Sequence, residues 1–308
     1  MKIFVTGGAG FVGQYLVHSL LNNGHKVTIF DNLSNATKSA VLKLERDGAS
    51  FVKGDVASYK NVFNSSHNFD FVIHLAAKTN VEESIVSPEL THLVNVTGTI
   101  NLLKACIVNK IPNIIIASSA AVYGDSKKMP FYENSVPIPI SPYGATKLAI
   151  EYYLKAFSNC FPINSVSLRF FNIYGLGQST AYAGVIDRFM TRVAHNKPPI
   201  IFGDGKNTRD FVSIEDIVQA ISLAMKKINR KKGDVYNIAT GTSVSINELA
   251  KLIISISGKK LQIIHKKPKT GEIRHSIASI ALAKRDLGYT PKVRLKDGIK
   301  RLMQVASN

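Results

Sequence analysis

Tyr143 and Lys147, in the run Ser141-Pro-Tyr-Gly-Ala-Thr-Lys147, pair a weak acid with a cation able to make it a base. A tyrosine hydroxyl titrates near pH ~10 and is a poor proton acceptor at neutral pH. A lysine four residues later lies one turn along the same helix face, close enough for its ammonium to stabilise a phenolate. The same spacing arises by chance in many helices, so its meaning depends on what accompanies it. Ahead of the pair, Ile116-Ala-Ser-Ser-Ala-Ala-Val-Tyr-Gly124 places Ser119 at the carboxyl end of an apolar strand. A serine there can hydrogen-bond a substrate hydroxyl and share its proton with the tyrosine.

The second signature is Met1-Lys-Ile-Phe-Val-Thr-Gly-Gly-Ala-Gly-Phe-Val-Gly13. A short strand, Ile3 to Val5, runs into Gly7, Gly10 and Gly13, and an apolar-periodic helix (Tyr15, Leu16, Leu20, Leu21) follows. Glycine allows the tight turn and lets backbone approach a pyrophosphate, while the helix N-terminus offers free N–H groups to the phosphates. A second strand, Lys26 to Phe30, ends in Asp31. An acid there accepts both ribose hydroxyls of an adenosine and repels a 2′-phosphate, which favours NAD over NADP.

These residues must be positioned by a larger framework. Strands at Ser50 to Lys53, Phe71 to His74, Asn113 to Ala117 and Ser165 to Phe170 alternate with helices, among them a long one from Ser87 to Asn109 and the Tyr143/Lys147 helix, which runs to about Asn159. The pattern predicts an α/β fold, a doubly wound parallel sheet of the Rossmann type, over residues 1–170. A smaller C-terminal substrate-binding region, 171–308, is expected to be partly interleaved with it, because Asp234 to Ala239 reads as a strand returning to the main sheet. In this region Pro199 to Phe211, with Gly203-Asp-Gly205, reads as a hairpin-like segment. Helices are expected near Val185 to Asn196, Ile214 to Lys227, Ile246 to Ser257, Ala281 to Leu287 and Lys296 to Val305.

With 308 residues, 45% of them hydrophobic and 19% charged, the chain reads as a soluble globular protein able to bury a substantial core. No apolar run approaches the ~20 residues of a membrane helix, and the N-terminus starts directly on a core strand, so neither a membrane span nor a signal peptide is expected. Cys106 and Cys160 have no partner at metal-ligand or redox spacing, consistent with core thiols in a reducing cytoplasm and no metal site. The net charge of +18 raises the question of nucleic acid. Its lysines cluster around turns (226–232, 259–269) without interleaved aromatic residues, which reads as a solvated basic surface that also attracts anionic sugar nucleotides.

The series Thr6-Gly-Gly-Ala-Gly-Phe-Val-Gly13, Asp31-Asn-Leu-Ser34, Gly54-Asp55, His74-Leu-Ala-Ala77, Asn95-Val-Thr-Gly98, Ser118-Ser119, Tyr143 to Lys147, Arg169-Phe-Phe-Asn172 and Gly203 to Phe211 resembles the extended short-chain dehydrogenase/reductase family. Within it the chain is similar to the nucleotide-sugar 4-epimerases of the UDP-glucose type. The resemblance implies NAD as cofactor, held by Gly7, Gly10, Phe11, Val12 and Gly13 at the pyrophosphate and by Asp31, Asn32 and Ser34 at the adenosine ribose. Asp55 and Val56 would frame adenine, while Leu75, Ala76, Ala77, Lys78 and Asn95 would line the cofactor and Phe171 would lie near the nicotinamide. It implies a UDP-sugar substrate, bound by Ser119, Asn172, Phe202 and Arg209, the last on the diphosphate, where a guanidinium fork suits phosphate oxygens. The implied chemistry is removal of the 4-hydroxyl proton by Tyr143, hydride transfer from C4 to NAD, rotation of the 4-keto sugar and return of the hydride to its other face, with no partner nucleic acid or membrane.

Related activities share this reactive set. The 4,6-dehydratases of the family resemble one another in an Asp-Glu pair after the catalytic hydroxyl residue. Ala120 and Ala121 stand there in this chain and cannot move protons, which argues against dehydration. UDP-glucuronate decarboxylases and 4-keto reductases carry the same Ser/Tyr/Lys set. A reading from another class is a non-catalytic NAD-sensing or nucleic-acid-binding module, which would not need Ser119, Tyr143 and Lys147 together with Asn172 and Arg209. The chain departs from the family's usual Arg-x-Gly-Asp at Lys269-Thr-Gly-Glu272, and Ser279 stands where an aspartate is usual. Ser276 matches the family's pocket-size gate, and a small residue there is similar to epimerases that admit N-acetylated sugars. The resemblance further implies a homodimer joined through the helices at 87–109 and 143–159.

Overall fold

The strands at 2–6, 71–74 and 113–119 are apolar on both sides, a pattern a sheet tolerates only when helices cover both of its faces. The computed structural model describes residues 1–178, 184–268 and 273–306. The first half runs β1 (Lys2–Thr6), α1 (Phe11–Asn22), β2 (Lys26–Asp31), α2 (Lys38–Arg46), β3 (Ser50–Lys53), α3 (Tyr59–Ser65), β4 (Phe71–His74), α4 (Val81–Val86), α5 (Pro88–His92), α6 (Gly98–Val108), β5 (Asn113–Ser119), α7 (Pro142–Cys160) and β6 (Asn164–Phe170). It continues with β7 (Asn172–Tyr174), α8 (Val185–Ala194), β8 (Ile200–Phe202), β9 (Thr208–Arg209), β10 (Phe211–Ser213), α9 (Ile214–Lys226), β11 (Lys232–Ile238), β12 (Val244–Ser245), α10 (Ile246–Ser257), β13 (Ile264–Lys266), α11 (Ala281–Leu287) and α12 (Leu295–Ala306).

Seven strands form one parallel sheet in the order β11-β6-β5-β4-β1-β2-β3. The doubly wound order is therefore extended by β11 on its edge, and the chain reverses direction of winding between β1 and β4, where such sheets bind ligands at their carboxyl ends. The period-2 alternation of side chains splits the core cleanly. Ile3, Val5, Phe71, Ile73 and Ile115 belong to a cluster with Leu16, Val17, Ile217 and Ile221 of α1 and α9. Phe4, Val72, Ile114 and Ile116 belong to the opposite cluster, with Leu102, Leu103, Ile150 and Leu154 of α6 and α7. A third cluster, under α8, α10 and α12, closes the C-terminal region.

Two sequence expectations are corrected. The helix expected over 87–109 is broken into α5, a π-helical turn at Leu93–Thr97, and α6. The widened turn turns Asn95 inward, where its amide braces the Lys78 backbone (Lys78 N to Asn95 Oδ1 2.8 Å; Asn95 Nδ2 to Lys78 O 3.0 Å). Such turns commonly accompany functional sites. The segment 199–211 is not a hairpin. β8 pairs with β13, β9 with β12 and β10 with β7, while Gly203 and Gly205 at φ +78° and +69° redirect the chain between them. Among the described residues, no helix is long and apolar enough to cross a membrane, and no group of three or more His, Cys, Asp or Glu could hold a metal ion.

His74, at the end of β4, ties three elements together. Thr99 Oγ1 donates to Asn95 O (2.6 Å), so it accepts from His74 Nε2 (3.0 Å), which leaves His74 Nδ1 to accept from Thr6 Oγ1 (2.6 Å). Burial, with the nearby Lys147 charge, drives the His74 pKa down to about 3. A histidine neutral in the fold and titrating near 6.5 when unfolded contributes stability above pH ~6.5 that is lost as pH falls toward its folded value. Denaturant unfolding at pH 7 and pH 4 should therefore show a smaller acid-induced loss for His74→Gln than for the natural chain. Equal losses would remove His74 from the acid response.

Candidate active site

Glycines build the mouth of the site. Gly7, at φ +69°, bends the chain out of β1, and a Cβ on it would lie 2.6 Å from Ala76 N, so the loops after β1 and β4 can touch only here without a side chain. A Cβ on Gly13 would overlap Gly7 O, so α1 starts directly against the loop. Gly10 caps α1 with no side-chain hydrogen bond, and the first turn holds no acid. Backbone N–H groups and the positive end of the helix are thereby left for an anion.

A cavity of about 1610 Å³ opens along the carboxyl ends of the strands. It exceeds the roughly 300–1,000 Å³ of a pocket for one drug-sized ligand and has room for a dinucleotide together with a second molecule. Gly7, Gly10, Phe11, Val12, Gly13, Asp31, Asn32, Ser34, Asp55, Val56, Leu75, Ala76, Ala77, Lys78, Ser119, Tyr143, Lys147 and Phe171 all line it. Asn95 does not. Its amide is spent on Lys78 and on Thr146 Oγ1 (3.0 Å), so it shapes the wall from behind and is not part of the surface.

At one end Asp31 accepts from Ala9 N (3.1 Å) and Leu33 N (2.9 Å). Burial pushes its carboxyl up, and these two N–H groups pull it back. Asn32 Nδ2 donates to Asp55 Oδ2 (3.0 Å), and Asn32 Oδ1 accepts from Ser34 N (3.0 Å), so the loop after β2 is fixed on the loop after β3. The glycine cradle, uncapped helix and oriented acid fit an adenine dinucleotide with free ribose hydroxyls.

At the other end the reactive set converges. Ser141 caps α7 by accepting from Gly144 N (3.1 Å), with Pro142 in the first helical turn, which starts the helix so that Tyr143 and Lys147 face the end of β5. Lys147 Nζ donates to Ala117 O (2.7 Å) and lies 5.9 Å from the Tyr143 ring centre. The Ser119 hydroxyl is hydrogen-bonded to the Tyr143 phenol and also accepts from Ala121 N (3.2 Å). The chain's own residues do not make Tyr143 anionic, contrary to the simplest reading of the Tyr/Lys spacing. Burial raises its pKa, and the Ser119 bond offsets this only in part. Burial also lowers Lys147, to about 8, against the opposing pull of Glu151. The set brings a phenol, a hydroxyl and an ammonium to one strand end, and a phenolate there needs further positive charge.

Sequence reasoning missed the support behind this set. Glu151, one turn beyond Lys147, accepts from Ser118 Oγ and takes a two-pronged contact from Arg169 (Nε to Oε1 2.9 Å, NH2 to Oε2 2.7 Å). Arg169 NH1 continues to Tyr123 OH (2.7 Å), which donates to Asn237 Oδ1 on β11 (2.6 Å). The signal was present: Glu151 is an acid at position i+4 from Lys147 between the buried Ile150 and Leu154.

Of the expected sugar-nucleotide residues, Ser119 lines the cavity, while Asn172, Phe202, Arg209 and Ser276 do not. Asn172 N and Nδ2 both donate to Asp210 O (3.1 and 3.2 Å). Arg209 NH1 donates to Thr208 O (2.9 Å), and Ser276 N donates to the same carbonyl (3.1 Å). Asn172, Arg209 and Ser276 are thereby gathered around 208–210, whose base is the buried Asp210 carboxylate bound by Thr240 N (2.8 Å) and Gly241 N (2.9 Å). Phe202 belongs to the separate β8–β13 ladder. Lys269 and Glu272 lie outside the described residues.

Comparison with known proteins agrees with this geometry. Residues 3–239 match the NAD dependent epimerase/dehydratase family. A putative UDP-glucose 4-epimerase of Methanocaldococcus jannaschii is 38% identical over 311 residues, covering 99% of this chain and 98% of the relative. The crystal structure of Thermotoga maritima UDP-glucose 4-epimerase with UDP-glucose superposes with a TM-score of 0.94 at 35% identity, over 100% of this chain and 99% of that one. A UDP-N-acetylglucosamine 4-epimerase from Methanobrevibacter ruminantium, in complex with UDP-N-acetylmuramic acid, gives 0.93 at 30% identity, again over 100% and 99%. With a parallel sheet of this order, a glycine cradle and a Ser/Tyr/Lys set at one strand end, the chain belongs to the NAD-dependent epimerase/dehydratase family.

Proposed function

We propose that the chain is an NAD-dependent epimerase that inverts C4 of a UDP-hexose, interconverting UDP-glucose and UDP-galactose. One observation carries the reading: Ser119, Tyr143 and Lys147 meet at the end of β5 inside the cavity that also holds the glycine cradle. Ala120 and Ala121, directly after Ser119, provide no acid or base for eliminating water. The proton at the sugar 4-oxygen moves to and from Tyr143, with Ser119 positioning that oxygen and Lys147 holding positive charge beneath the ring. Bound NAD supplies the hydride acceptor and, on its oxidised ring, the additional positive charge that Tyr143 requires. Gly7, Gly10 and Gly13 with the N-terminus of α1 would hold its pyrophosphate, and Asp31 its adenosine ribose. Asn172, anchored on the Asp210 carbonyl, and Arg209, anchored on the Thr208 carbonyl, would hold the nucleotide while the sugar turns. Ser276, small and joined to Thr208 beside Arg209, supports including N-acetylated UDP-sugars as substrates.

The dimer belongs to the same proposal. α4 and α5 pack on α7, and this side of the molecule exposes Ile85, Val86, Leu90, Tyr152 and Tyr153, with Val86 at 83%. Apolar side chains on neighbouring helices are the surface a second copy would cover. Light scattering should give twice the 33.7 kDa of one chain; a monomer mass at micromolar concentration would discard the dimer.

Proton NMR of UDP-galactose, and separately of UDP-N-acetylglucosamine, incubated with the protein should show inversion at C4. A 4-keto-6-deoxy product would replace the reading with dehydration. Tyr143→Phe should lower turnover by about 10²–10⁴-fold, the usual worth of general acid–base catalysis, with NAD still bound; near-normal turnover would discard the assigned role. Because Lys147 must stay protonated and titrates near 8, kcat should decline as pH rises through about 8, and a rate flat to pH 10 would contradict this.

A further inference from the structure

Tyr143, Lys147 and Glu151 stand at i, i+4 and i+8 on α7 and face the same strand end. Glu151 and Arg169 are 5% and 4% exposed, and both oxygens of the carboxylate are engaged by the guanidinium. A buried pair of this kind is a weak source of stability, because desolvation offsets the attraction between the charges. Its placement is more informative. Three consecutive residues at the end of β5 each hold one member of the helix face: Ala117 O takes Lys147, Ser118 takes Glu151 and Ser119 takes Tyr143.

We propose that Glu151, clamped by Arg169 and Ser118, is a positioning residue that keeps Lys147 charged and aligned beneath the Ser119–Tyr143 pair. This rests on the epimerase reading for the roles of Tyr143 and Lys147, but the contacts themselves do not. The groups facing Lys147 are His74 from β4, Tyr143 and Glu151 from its own helix, and the Ala117 carbonyl from β5. His74 is neutral, and the Tyr143 phenol carries no charge at neutral pH, so Glu151 is the negative group that opposes the burial of the ammonium. Arg169 reaches Glu151 from β6 and holds it through two parallel bonds, a geometry lysine cannot reproduce. Through Tyr123 and Asn237 the same arginine fixes this clamp to the edge strand β11.

The test is Glu151→Gln, together with Glu151→Gln/Arg169→Met, which removes both charges and so leaves no orphaned guanidinium if the single variant folds poorly. Glu151→Asp keeps the charge. Lys147 is titrated directly in protein labelled with ¹⁵N-lysine, its Nζ signal assigned by its loss in Lys147→Met, a readout independent of turnover. The expected result is a Lys147 titration near its natural position in Glu151→Asp, lowered less in the double variant, which also loses a positive charge, and lowered by at least about one pH unit in Glu151→Gln. A shift of that size is a tenfold change in the protonation equilibrium, and the alkaline limb of kcat should move down with it while KM changes little. Lys147 titrating at the same pH in the natural chain and in Glu151→Gln, or higher in the folded double variant than in the natural chain, would overturn the proposal. If the NMR shift occurs but no UDP-sugar is turned over, the positioning role stands and the epimerase reading fails.

Discussion

An ammonium group taken out of water persists only where dipoles and opposite charge replace its hydration. Lys147 is such a group, 4% exposed, with its Nζ on the Ala117 carbonyl and Glu151 one turn away. This cation sets where α7 must lie against β5, and that placement brings the Tyr143 oxygen to Ser119. The aromatic hydroxyl is itself buried, which raises its pKa and keeps it protonated at neutral pH.

The sheet supplies the rest of the geometry. Its strands all end on one side, and the change in winding between β1 and β4 leaves a crevice there. The glycine cradle occupies the β1 side of that crevice and the Ser/Tyr/Lys set the β5 side, with the His74–Thr6–Thr99 bonds locking β1, β4 and α6 between them. Most of the site's precision comes from backbone and buried side chains behind the cavity wall. Asn95 braces Lys78, Asp210 braces Asn172 through its carbonyl, and Arg169 braces Glu151.

Much of this was legible in the sequence because it is local. A strand followed by glycines and a helix, an acid ending the second strand, and a Tyr/Lys pair four residues apart each depend on neighbours within one or two turns. What was not legible depends on distant partners. The stretch 199–211 contains turn residues suited to a hairpin, yet its three short strands pair with segments that lie elsewhere in the chain. The π-helical turn that turns Asn95 inward answers to the Lys78 loop rather than to local helix propensity. The protonated state of Tyr143 reflects burial, which no spacing reveals and which the Ser119 hydroxyl offsets only in part. Glu151 lay in plain view as an acid on an apolar face, but only the fold joins it to Arg169.

The most direct measurement is the position of the sugar's 4-oxygen in a crystal structure of the chain with NAD and UDP-galactose. The expected result is that oxygen within hydrogen-bond reach, about 2.6–3.2 Å, of both the Tyr143 oxygen and the Ser119 hydroxyl, with Lys147 Nζ still on the Ala117 carbonyl. A 4-oxygen out of reach of Tyr143, with a different titratable side chain beside it, would contradict the assignment of proton transfer to this helix face.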